Sequence, residues 1–220
     1  MKKMKESSEV VEVEREPESM LTKIKNKGKR PLTDRQLLVK MYEIFSPSGG
    51  EHAMVNFVSA YLTEKEIEHE IDSMGNIYCK NHVEGDNRVL LNAHMDTVAS
   101  APAKIIAVKT KDESDVHIKS SNNQVIGADD KNGIFVTLKL LTDKRIKSPL
   151  SVLFCVAEES GCNGSLFAME HHAEWFADCI FCITIDRRGN TDIVTSNFDV
   201  DLCSKEMEKT LGEWGKDFGL

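Results

Sequence analysis

The chain has 220 residues, of which 28 are Lys or Arg and 36 are Asp or Glu, so its formal net charge is −8 at pH 7. This length is enough for one substantial domain with a hydrophobic core. The acidic balance argues against nucleic acid as the main partner, because phosphate contacts need Lys and Arg. No apolar stretch approaches the roughly 20 residues of a membrane-spanning helix, and no secretory signal follows the basic first residues. We therefore expect a cytoplasmic protein that binds neither nucleic acid nor membranes.

The chain divides into three parts by composition. Residues 1–30 mix Lys, Glu and Ser with few large apolar side chains, which predicts a flexible charged tail. Residues 31–200 contain the predicted elements of a folded domain, and residues 201–220 are typical of a C-terminal helix or tail. The six cysteines have no regular spacing, which favours free thiols in a reducing compartment.

Two helices are predicted at the start of the folded domain. Thr33 can cap a helix whose apolar residues repeat at helical spacing. Ser48 and Glu51 have the three-residue spacing of a capping box, which predicts the start of a second helix. Two short strands are then predicted on either side of a turn at Gly75–Asn76, and residues 100–124 predict a hairpin or a small extension of the sheet.

Three later stretches are near-continuous apolar runs of strand length: VLLNAH (89–94), SVLFCVAEE (151–159) and CIFCITID (179–186). Such runs are typical of strands buried on both faces, as in a sheet covered by helices. Helical patterns lie between the runs, at about 131–142 and 164–172. This alternation predicts an α/β fold with a mixed, mostly parallel sheet flanked by helices.

Polar side chains that can bind metals follow each of these runs. In open α/β sheets, ligands bind beyond the carboxyl ends of the strands. We therefore expect the side chains at the ends of the three strands, together with one at the start of the first intervening helix, to share one edge of the sheet. These residues are His94, Asp96, Asp129, Glu158, Glu159 and Asp186.

Imidazole and carboxylate groups are suitable ligands for zinc, and also for manganese or cobalt. Asp129 could bridge two metal ions, which lie roughly 3.5–4 Å apart in two-metal sites. Asp96 could bind the second ring nitrogen of His94 and fix its tautomer. Of the adjacent Glu158 and Glu159, one could bind metal while the other transfers a proton.

Each of these signals also has an ordinary structural interpretation. Two aspartates before a helix commonly cap it and interact with its dipole, and two glutamates after a strand commonly lie in a solvated turn. The sequence Glu170-His171-His172 resembles a metal cluster, but it falls at a predicted helix end away from the strand ends. Cys179 and Cys182 form a C-x-x-C pattern within a predicted strand, where positions three apart point to opposite faces.

Five motifs together give the sequence a family resemblance. SPSGGE, NAHMDTV, GADDKNG, EESGCNG and ITIDRRGN occur in the order seen in co-catalytic zinc exopeptidases. The chain resembles the superfamily that contains peptidase T, carnosinase-type dipeptidases and acetylornithine deacetylase, from about residue 33 to residue 195. The motifs HMDTV and GADDKNG are most similar to those of peptidase T and related tripeptidases. The resemblance implies that residues 31–200 are a metallopeptidase catalytic domain.

The resemblance also implies a role for each residue of the predicted site. It predicts an exopeptidase that cleaves short peptides through a metal-bound hydroxide, with one or two Zn²⁺ ions and with Co²⁺ or Mn²⁺ as alternatives. Glu158 would be the general base, and Asp96 would lie behind His94. The implied metal ligands are His94, Asp129, Glu159 and Asp186, with Asp129 as the bridging carboxylate.

The sequence departs from the family pattern in one respect. Members of the superfamily carry a further histidine ligand near the C-terminus, whereas no histidine follows His172 here. One alternative is therefore a truncated, weakly active or inactive chain that binds metal and associates with a partner chain that supplies the missing part. A homo-oligomer is the other association that we expect. An N-acyl-amino-acid deacylase would use the same site and is a further alternative.

Overall fold

The computed structural model describes residues 32–109, 116–189 and 192–217 of the chain. The tail predicted for residues 1–30 lies outside these ranges. The helices and strands in chain order are α1 (Asp34–Glu43), α2 (His52–Glu64), β1 (His69–Ile71), β2 (Ile77–Lys80), β3 (Arg88–His94), β4 (Ile105–Lys109), β5 (Val116–Ser120), α3 (Ala128–Thr142), β6 (Leu150–Cys155), α4 (Asn163–His171), β7 (Cys179–Thr184), β8 (Ser196–Asn197), β9 (Val200–Asp201) and α5 (Lys205–Asp217).

A five-stranded mixed sheet in the order β1-β2-β6-β3-β7 forms the centre of the domain. Strand β3 is parallel to both β6 and β7, whereas β2 is antiparallel to β6 and β1 is antiparallel to β2. The predicted α/β fold is confirmed, and the three strands predicted from apolar runs are the parallel ones. Their carboxyl ends therefore lie at one edge of the sheet.

Strand burial follows the position of each strand in the sheet. All six residues of β6 are buried, and Phe154, the fifth of them, is completely inaccessible to solvent. The prediction that β7 is buried on both faces is wrong, since Ile180 is 58% exposed and Ile183 is 43% exposed. Within the described residues, β7 is the outer strand of the sheet and pairs with β3 alone, so its apolar side chains are only partly covered.

Helix α1 begins as the sequence predicts, and α2 does not. Thr33 and Gln36 form a capping box at the start of α1. The capping box predicted for α2 is wrong, because the N-cap residue Glu51 makes no side-chain capping bond. Ser48 instead donates its hydroxyl hydrogen bond to Asp96, at 2.7 Å. The carboxylate of Asp96 is fully buried, and buried polar groups need interior partners. The long-range contact of Ser48 with Asp96 therefore takes precedence over a local helix cap.

The remaining predicted elements are present. The strands β1 and β2 pair on either side of the turn at Gly75–Asn76. Strands β4 and β5 pair in antiparallel fashion as a separate two-stranded sheet and do not extend the central one. Both intervening helices are found as α3 and α4, and all six cysteines are free thiols. Among the helices that the structure describes, none combines the length and the apolar character needed to cross a membrane.

Phe154 lies on the middle strand of the sheet and is fully buried, so its substitution tests the strand order. We expect Phe154→Ala to lower the free energy of unfolding by about 3–5 kcal/mol, because it leaves a cavity in the core. The matched change Ile180→Ala, on the exposed face of β7, should alter it by no more than about 0.5 kcal/mol. Urea denaturation measures both values, and equal losses for the two variants would contradict the order β1-β2-β6-β3-β7.

Candidate metal centre

The predicted site residues lie at the edge formed by the carboxyl ends of β3, β6 and β7. His94 is the last residue of β3 and is paired in register with Cys155, the last residue of β6. Glu158 and Glu159 lie in the loop after β6, and Asp186 lies two residues after β7. Since these strands run in parallel, their C-terminal loops meet above the same end of the sheet.

Two groups of possible metal ligands share His94. In the first group, His94 Nε2 lies 3.0 Å from Asp129 Oδ1 and 3.8 Å from Asp186 Oδ1. The second group contains His94, Glu158 and Glu159. Within each group the ligand atoms all lie within 4.8 Å of one another. One imidazole and four carboxylates therefore converge, and this nitrogen and oxygen donor set suits a divalent cation such as zinc.

The imidazole of His94 is held so that one nitrogen faces the carboxylates. Its Nδ1 donates a hydrogen bond to the backbone oxygen of Asp96 at 3.0 Å and lies 3.3 Å from Asp96 Oδ1. The side chain of His94 is only 3% exposed, so the ring is enclosed by the protein. Because Nδ1 carries this proton in the neutral ring, the lone pair of Nε2 is available to a cation.

Asp96 also fixes the loop that carries the two glutamates. Its Oδ1 accepts a hydrogen bond from the backbone N–H of Glu158 at 2.9 Å, and its Oδ2 accepts one from Glu159 at 3.0 Å and one from Ser48. Burial raises the pKa of Asp96, but its interactions with His94 and these donors lower the pKa to about 2. Asp96 is therefore an ionised, fully buried carboxylate that connects the imidazole to the glutamate loop.

The two adjacent aspartates differ in position. Asp129, which precedes a cis peptide bond, has a 72% exposed side chain that faces His94. Asp130 is buried, and its carboxylate accepts hydrogen bonds from the backbone N–H groups of His94 at 3.1 Å and Gly133 at 3.0 Å. Only the first aspartate is placed among the possible ligands, whereas the second connects the start of α3 to the end of β3.

The site has an electrostatic preference for positive charge. Burial lowers the pKa of His94, but its interactions with Asp186 and Asp96 raise the pKa to about 11. Burial and the charge of Asp186 raise the pKa of Asp129, and burial and the charge of Asp129 raise that of Glu159. Carboxylates at this spacing repel one another. A divalent cation would relieve that repulsion and compete with the proton on His94, so the residues fit a metal ion.

The alternative cluster at the end of α4 is not part of this site. His171 lies against Phe167, with ring centroids 4.3 Å apart, and His172 lies against Tyr78 at 5.3 Å. No group of possible metal ligands in the described ranges contains Glu170, His171 or His172. The interpretation of these residues as an ordinary helix end is therefore supported.

Two buried charged residues near the site were not predicted from the sequence to take part in it. Glu51 Oε1 accepts a hydrogen bond from the backbone N–H of Ala157 at 3.1 Å, immediately before the glutamate pair. Lys131 is 3% exposed and donates to the backbone oxygens of Ile44 at 2.6 Å and Ile126 at 3.3 Å. Burial lowers the pKa of Lys131 to about 8.

Comparisons with known proteins agree with this geometry. Residues 75–219, more than half of the chain, match peptidase family M28. No curated protein matches the sequence.

Solved structures share the fold. A tripeptidase from Staphylococcus aureus subsp. aureus Mu50 has 24% identity and a TM-score of 0.58, covering 72% of this chain and 44% of its own. Aminopeptidase PepT from Bacillus cereus ATCC 10987 has 19% identity and a TM-score of 0.57, with the same coverage. The TET1 peptidase of Pyrococcus horikoshii has 14% identity and a TM-score of 0.56, covering 86% of this chain and 82% of its own.

The chain thus spans less than half the length of the first two structures, and at these identities the likeness concerns the fold. The resemblance to zinc exopeptidases that the sequence motifs indicate is confirmed by the family match and by the fold. The chain belongs to peptidase family M28 and has the α/β fold of a zinc exopeptidase catalytic domain.

Proposed function

We propose that this chain carries the catalytic site of a metal-dependent exopeptidase that hydrolyses amide bonds of short peptides. The convergence of His94, Asp129, Glu158, Glu159 and Asp186 at one edge of the sheet is the observation that supports this function. The similarity to a tripeptidase and an aminopeptidase supports short peptides as the substrate class. The exposed side chain of Asp129 leaves the site accessible to the end of a peptide.

The proposed ligands divide into two sets that share Asp129. His94, Asp129 and Asp186 would hold one divalent cation. Glu159, on which the charge of Asp129 acts, would hold a second together with Asp129, as the family resemblance implies. Zinc suits these donors, and cobalt or manganese would also fit. When bound, such cations polarise the scissile carbonyl and make the attacking water more acidic.

Glu158 is the proposed general base. Its Oε2 lies 3.7 Å from His94 Nε2, beside the ligands, and its side chain is 32% exposed. The backbone N–H of Glu158 donates a hydrogen bond to Asp96, which fixes the backbone position from which the Glu158 side chain extends. In this role Glu158 takes a proton from the attacking water and later transfers it to the leaving amine.

We also propose that the protein is cytoplasmic and self-associates. Six free thiols are typical of a reducing compartment. The TET1 peptidase assembles into a tetrahedron or a large octahedral shell, and the exposed apolar residues of β7 here would favour association.

The role of Glu158 predicts a selective loss of turnover. We expect Glu158→Gln to lower kcat for a tripeptide by about 10²- to 10⁴-fold, because the amide cannot accept the proton. The bound metal should be retained, since Glu158 is not a proposed ligand. The matched control is Glu170→Gln, which changes an exposed glutamate outside the site. Steady-state kinetics with metal analysis measures both effects, and wild-type turnover in E158Q would contradict the proposal.

The proposed ligand set predicts which histidine holds the metal. We expect His94→Ala to weaken metal binding by more than the roughly 10–100-fold caused by changes to residues behind the ligands. His171→Ala should leave binding unchanged, because His171 packs against Phe167 at the end of α4. Metal content after dialysis and titration with Zn²⁺ measures the difference. Equal affinity in the two variants, or loss only in H171A, would place the metal elsewhere.

A further inference from the structure

The loop that carries Glu158 and Glu159 is closed at its base. It leaves β6 at Val156 and returns at Gly164, in the first turn of α4. The backbone N–H of Gly164 donates to the backbone oxygen of Val156 at 3.1 Å, so the two ends of the loop lie side by side. Any movement at this base would move the two glutamates relative to His94.

One buried side chain binds both ends of this loop. Asn76 is completely inaccessible to solvent. Its Oδ1 accepts a hydrogen bond from the backbone N–H of Val156 at 3.0 Å, and its Nδ2 donates to the backbone oxygen of Gly164 at 3.0 Å. A second bond from Nδ2, to Asp72 Oδ2 at 2.8 Å, fixes the orientation of the amide. Asn76 thus satisfies two buried backbone groups that would otherwise lose a partner.

The packing at the base leaves little room for movement. A Cβ atom at Gly164 would clash with the backbone oxygen of Val156 and would lie 2.6 Å from Asn76 Oδ1. The close approach therefore requires glycine at this position. Asp72 supports Asn76 from behind, because its carboxylate also accepts the hydroxyl hydrogen bond of Tyr78 at 2.8 Å.

A second asparagine provides a natural comparison at the other end of the same strand pair. Asn76 and Asn81 flank β2, and both bind β6 or its neighbouring residues through their side-chain amides. Asn81 donates to the backbone oxygen of Ser148 at 3.0 Å and accepts from the backbone N–H of Leu150 at 2.9 Å. Because β2 and β6 are antiparallel, Asn81 lies at the end of β6 away from the candidate metal centre.

We propose that Asn76 is a positioning residue that closes the base of the 157–163 loop and so holds Glu158 and Glu159 against the metal centre. The consequence for hydrolysis rests on the proposed function, whereas the consequence for loop closure does not. Both asparagines connect β2 to β6, so a general stabilising role would make them equivalent. A positioning role makes only Asn76 important for the glutamate loop.

Amide hydrogen exchange of the metal-free 220-residue chain tests loop closure directly. We expect Asn76→Ala to accelerate exchange in peptides covering residues 157–163 by at least roughly tenfold, because two hydrogen bonds to the loop base are lost. Asn81→Ala should lower the free energy of unfolding in urea by an amount similar to that of Asn76→Ala. It should not accelerate exchange in that loop. If N76A does not fold, the milder pair Asn76→Ser and Asn81→Ser makes the same comparison. Equal exchange in the two variants of a pair would overturn the proposal.

Kinetics with a tripeptide and Zn²⁺ tests the consequence for hydrolysis. We expect N76A to lower kcat by roughly 10–100-fold, the range found for residues behind metal ligands, with a smaller change in KM. N81A should retain the kcat of the unmodified chain. If the unmodified chain is active, equal kcat values for the N76A and N81A variants would overturn the positioning role. A chain that is inactive without any substitution would refute the proposed function instead, and the exchange experiment would then decide the role of Asn76.

Discussion

The arrangement of the candidate metal centre depends on one buried carboxylate, that of Asp96. It interacts with the imidazole of His94 on β3 and accepts backbone hydrogen bonds from Glu158 and Glu159, which follow β6. It also accepts a hydrogen bond from the hydroxyl of Ser48, which precedes α2. An ionised carboxylate without solvent must be hydrogen-bonded, because an unpaired buried charge is very costly. The need to satisfy Asp96 therefore draws three distant segments of the chain to one point.

The sequence was sufficient to predict the central strands, because β3 and β6 are apolar runs that end in polar residues. Strand β7 has a similar run, yet Ile180 is largely exposed. Composition does not reveal which strand lies at the edge of a sheet, since strand order is set by long-range pairing. The same limit applies to Ser48 and Glu51, whose spacing fits a local cap although both bind residues far along the chain. Local patterns predict local structure well only where no buried group competes for the same atoms.

The candidate site was predictable in part for a related reason. Strands that run in parallel bring their C-terminal residues together, so the positions of His94, Glu158 and Asp186 followed from strand direction. The pair itself gave no physical reason why Asp129 and not Asp130 should face the site, and the family resemblance supplied one for Asp129. The role of Asn76 was not visible at all, because its sequence signal is that of an ordinary turn residue and its two loop contacts lie 80 and 88 positions away.

The carboxylates around His94 fall into two kinds with different physical requirements. Asp96 and Asp130 are buried, and fixed backbone N–H groups donate to both side chains. The negative charge of Asp96 is stabilised by its partners, which lower its pKa to about 2, whereas burial raises the pKa of Asp130 to about 8. Among the hydrogen bonds of the described residues, none from a backbone N–H reaches the side chain of Asp129 or Glu159. Their mutual repulsion can be relieved only by protonation or by a cation. The buried acids therefore fix the geometry of the site, while the partly exposed acids give it a preference for positive charge.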